Sequence, residues 1–177
     1  MPEDQTLPSL WLLSDRRNDA VLERTLATLP PGSGFVFRHY HLTPAARRDR
    51  FNALAAAARR RGHLVVLSRA RGWGEDGTYG PADFIAAQPG LRLATAHDAA
   101  EIAAANAASA DGLFLSPVFP TRSHPGAASL GPARFQHLAA LARMPVIALG
   151  GMTQERARML GIARWGAIDG LAAPAIP

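Results

Sequence analysis

Eight short apolar runs punctuate the chain, centred near residues 11, 35, 64, 78, 92, 113, 146 and 169, and most gaps between them carry a helical pattern. The runs are too short for helices and largely lack polar alternation, as expected of strands buried on both faces. Parallel strands of that kind need crossover connections, so the pattern restricts the chain to an α/β fold with a mostly parallel sheet. Eight strand–helix units argue for a compact closed (β/α)8 barrel. A truncated barrel or an open doubly wound sheet is the alternative. In any of these the ligand site belongs at the C-terminal ends of the strands.

The helices have recognisable ends. Residues 19–29 carry Val21, Leu22, Leu26 and Leu29 on one side, and Pro30, Pro31 and Gly32 stop them. Thr43-Pro44 opens a second helix running to Arg61. Asp98 opens a helix over 98–109, Leu130-Gly131-Pro132 opens another with Phe135, Leu138 and Leu141 on one stripe, and Thr153 caps a last one over 154–162. The second strand is read from Phe35 to Tyr40, the sixth from Gly112 to Val118, and the last over residues 167–172. Residues 68–83 are the weak point. Gly72, Gly74, Gly77 and Gly80 beside Trp73 and Tyr79 fit either a covering loop or a short fourth strand with a degenerate helix, that is, a degenerate fourth βα unit. Residues 1–9 read as a flexible tail and 10–177 as a single domain without a linker.

Composition narrows the function classes. A chain of 177 residues suits one domain with a sizeable core. No apolar run reaches membrane-spanning length, and the N-terminus MPEDQTLPSL is acidic and unlike a signal peptide, so cytoplasm is the default expectation. Without cysteine there are no disulfides and no thiolate metal sites. All 19 basic residues are arginine, so Schiff-base chemistry on lysine is excluded. The net charge of +5 is read as serving ordinary surfaces and a phosphorylated small molecule rather than nucleic acid. A homodimer is compatible with the sequence.

Two stretches carry the chemistry. Residues 111–131 read DGLFLSPVFPTRSHPGAASLG, and residues 145–151 read PVIALGG. Each begins as a strand and ends in residues suited to a ligand-facing loop. Gly150-Gly151 before a capped helix is a physical recipe for holding an anion, because glycines admit close approach and free backbone N–H groups point outward. Arg38, near the end of the second strand, is a charge that a buried strand does not carry without a partner.

The second half resembles the thiamine phosphate synthase and thiazole tautomerase family of small TIM barrels. The family pattern G-P-V-F-x-T-x-T-K-x-G stands here as Ser116-Pro117-Val118-Phe119-Pro120-Thr121-Arg122-Ser123-His124-Pro125-Gly126. The later P-V-x-A-I-G-G stands as Pro145-Val146-Ile147-Ala148-Leu149-Gly150-Gly151, and Thr95-Ala96-His97 resembles the family's S-V-H. The likeness covers residues 91–176. It implies a transferase that couples a hydroxymethylpyrimidine diphosphate to a thiazole phosphate with release of pyrophosphate and with magnesium at the leaving group. It further implies catalytic roles for Arg38 and His124, and substrate contacts from Arg69, Thr95, His97 and Thr121. A phosphate would lie at Gly150, Gly151, Ala172 and Ala173, and Asp83 would be a metal residue.

The departures fall on charged positions. In the family's Q-L-R-E-K segment, Arg38 matches the arginine and Tyr40 stands where a lysine belongs. In I-N-D-R, Leu67-Ser68 replaces the asparagine and the magnesium aspartate, and only Arg69 is kept. His124 replaces the loop lysine, and Pro117 stands where the tautomerase branch has its histidine. A serine is a poor magnesium ligand beside a carboxylate. These substitutions weaken the case for magnesium, which the resemblance still allows, and mark a divergent synthase. The alternatives are a relative acting on another small phosphorylated ligand, or an inert phosphate-binding barrel.

Overall fold

A computed structural model of the chain describes residues 7–123 and 125–171. Eight strands form a closed barrel: β1 (Leu10–Leu13), β2 (Gly34–Phe37), β3 (Leu64–Ser68), β4 (Gly77–Gly80), β5 (Leu91–Ala96), β6 (Gly112–Leu115), β7 (Val146–Ala148) and β8 (Trp165–Ala167). Every neighbouring pair is parallel, and β8 returns to β1. Among the described residues six α-helices lie outside: α1 (Leu22–Thr28), α2 (Pro44–Arg59), α3 (Ala82–Ile85), α4 (Ala99–Ala107), α5 (Gly131–Ala139) and α6 (Gln154–Met159). This is the TIM (β/α)8 barrel expected from the alternation.

Strand alternation sorts the core into layers. Trp11, Leu13, Val36, Val66, Tyr79, Leu93, Phe114 and Ile147 fill the barrel interior. Leu12, Phe35, Phe37, Val65 and Leu67 face outward against α1 and α2, and Ala94, Ala96, Leu113, Leu115 and Ala148 do so on the other half. The interior is narrow, so large side chains on some strands require small ones opposite. Trp11 pairs in register with Gly34, and a Cβ at Gly34 would lie 2.1 Å from the Trp11 ring. Trp11 packs edge-on against Phe114 at 5.6 Å, and Phe114 against Tyr79 at 5.1 Å.

Several element boundaries differ from the sequence expectation, each for a local reason. The second strand ends at Phe37, because Ser14 Oγ accepts the Arg38 N–H at 2.7 Å and the chain then turns through left-handed backbone at His39. The sixth strand stops at Leu115, before a cis Ser116–Pro117 bond. The last strand forms at Trp165–Ala167 rather than over 167–172, since Gly166 is the residue small enough to sit beside Trp11 and Leu13; residues beyond 171 lie outside the described ones. Residues 7 and 8, at the end of the stretch read as a tail, pack on the barrel. Leu7 is buried among the interior side chains, and Pro8 carbonyl accepts from Trp11 Nε1 at 2.8 Å.

The fourth unit is degenerate as expected, with β4 around Thr78-Tyr79 and a one-turn α3. Among the described residues no helix follows β3 or β8. The chain passes from β3 to β4 through residues 69–76, and Trp73 packs on Phe51 of α2 at 5.6 Å. Glu75 holds that loop by accepting the Gly72 and Trp73 N–H groups.

Replacing Gly34 with alanine should lower stability by about 1–3 kcal/mol, because the new methyl enters the space of a fully buried ring. A denaturant midpoint equal to that of the parent chain would contradict this packing.

Candidate functional site

The strand C-terminal ends surround a cavity of about 620 Å³, within the range of small-ligand sites. Its floor includes Tyr79 and Arg38, and its walls come from the loops after β1, β6, β7 and β8. The Tyr79 hydroxyl is pushed up to about 12 by burial and so remains a neutral donor.

Arg38 is anchored from below. Its Nε donates to Ser14 carbonyl at 2.9 Å, and a terminal nitrogen pairs with Asp15 at 3.0 Å. Burial pushes the Asp15 carboxyl up, but the Arg17 N–H and the charges of Arg38 and Arg17 outweigh it and hold it below its usual value. Behind this pair lies a buried relay. His39 Nδ1 is 2.8 Å from Ser14 Oγ, and Nε2 is 2.8 Å from Asp19 Oδ1. An ionised carboxylate only accepts, so Nε2 carries the proton and Nδ1 accepts the Ser14 hydroxyl. Asp19 also accepts from Arg50, which reaches on to Glu23. Arg17 ties three loops together, with Asp15 and Asp169 as ion pairs and Ser123 Oγ as an acceptor at 2.9 Å.

The opposite wall is the loop after β6 folded onto the end of β7. Val118 and Phe119 N–H groups donate to Leu149 and Gly150 carbonyls at 2.9 and 3.0 Å. Gly150 and Gly151 have φ of 98° and 61°. A Cβ at Gly150 would strike Pro117 at 2.6 Å, and one at Gly151 would strike the Pro120 carbonyl at 2.7 Å. Glycine is therefore required by the close loop as well as by the backbone conformation. Both residues line the cavity, and their N–H groups have no acceptor among the described residues.

The sequence-derived site residues divide into groups. Arg38, His97, Thr121, Gly150 and Gly151 all line the one cavity. His97 is also structural: Glu101 accepts from its N–H at 2.6 Å and lies 2.9 Å from its Nδ1, while Asp98 caps α4. Thr121 Oγ1 accepts the Ser123 N–H at 3.1 Å. Thr95 is half-buried on β5 and is not on the cavity wall. Arg69 is likewise off the wall; it leaves β3 in left-handed backbone and stacks on Tyr40 at 4.3 Å. Asp83 is exposed at the start of α3, where its carboxylate accepts only the N–H of Phe84 among the described residues. His124, Ala172 and Ala173 lie outside the described residues. Arg17, Asp15 and the Ser14–His39–Asp19 relay were not singled out from the sequence. Their one signal is position, just past the ends of β1 and β2.

Magnesium does not fit this donor set. Ser68 Oγ is 2.7 Å from the Tyr40 hydroxyl, and Ser68 carbonyl accepts from Arg47. Asp83 belongs to no cluster of metal-ligating side chains among the described residues. A dication about 6 Å from a guanidinium is repelled by roughly 5 kcal/mol at an effective dielectric near 20, and Arg38, Arg47 and Arg69 all face Tyr40. Asp19, His39 and His41 bring three potential ligand atoms within 4.8 Å of one another. That set is imidazole-rich, which suits transition metals rather than magnesium, and Asp19 Oδ1 is already engaged by His39 and Arg50.

The site thus belongs to the class of parallel (β/α)8 barrels with a cationic mouth edged by free glycine amides. Residues 89–171 match the family model of thiamine monophosphate synthase, which bears out the resemblance over that segment. A thiamine phosphate pyrophosphorylase from Pyrococcus furiosus superposes with a TM-score of 0.75 at 20% identity, over 90% of this chain and 85% of that one. FabK from Thermotoga maritima gives 0.69 at 13% identity, over 93% and 58%. The YdjI aldolase from Escherichia coli gives 0.63 at 8% identity, over 92% and 75%. At these identities the likeness establishes the fold, which is shared by enzymes of different chemistry. No curated protein matches the chain in sequence. Among the described residues no helix is long and apolar enough to cross a membrane.

His39 makes stability depend on pH. Burial lowers its pKa, and the Asp19 hydrogen bond only partly offsets that. The unfolded imidazole takes a proton near its usual value of about 6.5 while the folded one resists it. Stability is therefore full above that range and declines as pH falls through it. The denaturant midpoint should drop from pH 7 to pH 5.5, and His39→Gln should flatten that slope. An equal slope in both proteins would remove His39 as its source.

Proposed function

We propose that the chain is a divergent thiamine phosphate synthase, joining a pyrimidine diphosphate to a thiazole phosphate in this mouth. The observation that carries the reading is that Arg38 and the free Gly150 and Gly151 amides face one cavity whose β6 and β7 loops lie in the family-matched segment. In the reaction the carbon–oxygen bond to the diphosphate breaks, and its electron pair leaves on pyrophosphate. The thiazole nitrogen lone pair forms the new carbon–nitrogen bond and becomes the quaternary nitrogen, so no proton need move. Arg38 and Arg69 would meet the charge that develops on the leaving group. The glycine amides would hold the thiazole phosphate, and the resemblance assigns Ala172 and Ala173 to the same phosphate and His124 to the leaving group.

Turnover should be slow, because Tyr40, Ser68 and His124 stand where the family has charged groups acting on the leaving pyrophosphate. Losing those groups lowers transition-state stabilisation more than ground-state binding. The neutral Tyr40–Ser68 pair favours a second reading, a barrel that binds the phosphorylated heterocycle without turnover.

A product assay with both substrates, with and without magnesium, separates these. Slow formation of thiamine phosphate supports the first reading. Binding without product supports the second, and vigorous magnesium-dependent synthesis overturns the account of the substituted positions. Neutralising Arg38 as Arg38→Gln should weaken diphosphate binding by roughly 10- to 100-fold, the usual worth of a charged hydrogen bond, and thiazole phosphate binding far less. Equal losses for both ligands, measured by calorimetry on folded protein, would contradict the placement of Arg38 at the diphosphate.

A further inference from the structure

We propose that the corner of the mouth between β2 and β3 is a metal-independent diphosphate site, in which arginine guanidinium groups meet the charge that the family resemblance assigns to magnesium. This deepens the function proposed above and rests on it for the identity of the ligand.

The corner is built around the Tyr40 ring. The guanidinium carbons of Arg69, Arg47 and Arg38 lie 4.3, 5.7 and 6.0 Å from its centroid. One carboxylate, Asp15, pairs with this set, and it pairs with Arg38. Arg47 gives its Nε and one terminal nitrogen to the carbonyls of Arg38 and Ser68, so it contributes charge without a counter-ion among the described residues. Arg69 is exposed, and its guanidinium has no hydrogen-bond acceptor among the described residues. Its fork is therefore available to grip phosphate oxygens in pairs, and stacking on Tyr40 limits the orientations it can take. Arg38 joins this corner to the cavity, because it also forms part of the floor.

The substitutions at 40 and 68 act as one change. The Tyr40 hydroxyl and Ser68 Oγ bond to each other at 2.7 Å, which leaves neither a carboxylate to hold a cation nor a lysine to balance one. Three guanidinium groups against one carboxylate leave a net charge of about +2 beside the cavity. That suits two adjacent phosphates better than a single phosphate or a carboxylate, and it opposes a divalent cation.

Calorimetric titration of the full chain with inorganic pyrophosphate, in EDTA and in excess magnesium, tests the site. We expect binding in EDTA that magnesium leaves unchanged or weakens. Arg69→Gln, a surface change, should weaken that binding at least tenfold with the thermal midpoint unchanged. Ser68→Asp should weaken binding in EDTA and make it responsive to magnesium, since it places a carboxylate among the arginines. Pyrophosphate binding that appears only with magnesium would overturn the proposal, as would no pyrophosphate binding under either condition. Unchanged affinity in Arg69→Gln would overturn it too. Thiazole phosphate is titrated in parallel. If it binds where pyrophosphate does not, the metal-independent site fails and the broader functional reading stands. If neither binds, both fail.

Discussion

The interior of an eight-stranded parallel barrel has a fixed, small width, and the rest of this structure follows from how it is filled. Trp11 takes the middle of that space and is tolerated because its registered neighbour is Gly34. Phe114 and Tyr79 complete the layer edge to face. Leu7 lies with them, next to Gly112 and Leu93. A closed parallel barrel delivers all eight strand ends to one rim, so residues distant in sequence meet there without further design. Arg17, Ser123 and Asp169 come from three loops and touch because the barrel closes.

Above that layer the mouth has two unlike walls. One presents Arg38, backed by a hydrogen-bonded chain that runs from Glu23 and Arg50 through Asp19, His39 and Ser14. It holds a cation at the cavity floor by fixing both its backbone and its guanidinium. The other is a backbone wall, in which the β6 loop leans on the end of β7 so closely that only glycine fits at positions 150 and 151. The same contact that demands glycine leaves the amides of those residues facing the cavity. Close packing and a pair of amides without an acceptor among the described residues are thus two results of one feature of the chain, and a substitution there would disturb both.

Two of the positions that separate this chain from the family pattern, 40 and 68, are coupled in space. Position 40 ends the turn after β2 and position 68 ends β3, twenty-eight residues apart. Side by side on the rim, a tyrosine and a serine satisfy each other. Arg47 and Arg69 then close over the ring.

The amino-acid sequence by itself determined the strand–helix alternation, the barrel class, the family resemblance of the second half and the candidate roles of Arg38, Thr121, Gly150 and Gly151. These rest on local patterns: apolar runs, caps, proline and glycine. Strand ends were less legible. The second strand stops at Phe37 because Ser14, just past the end of β1, takes the next N–H, and the last sits at Trp165–Ala167 because of what Trp11 leaves room for. Only the tertiary structure decided that Arg69 stacks on Tyr40 outside the cavity, that Asp83 stands alone and that His39 is buried between Ser14 and Asp19. The reason is physical. A local pattern encodes backbone preference, whereas a site is a set of distances between loops, and those distances are set when the sheet closes.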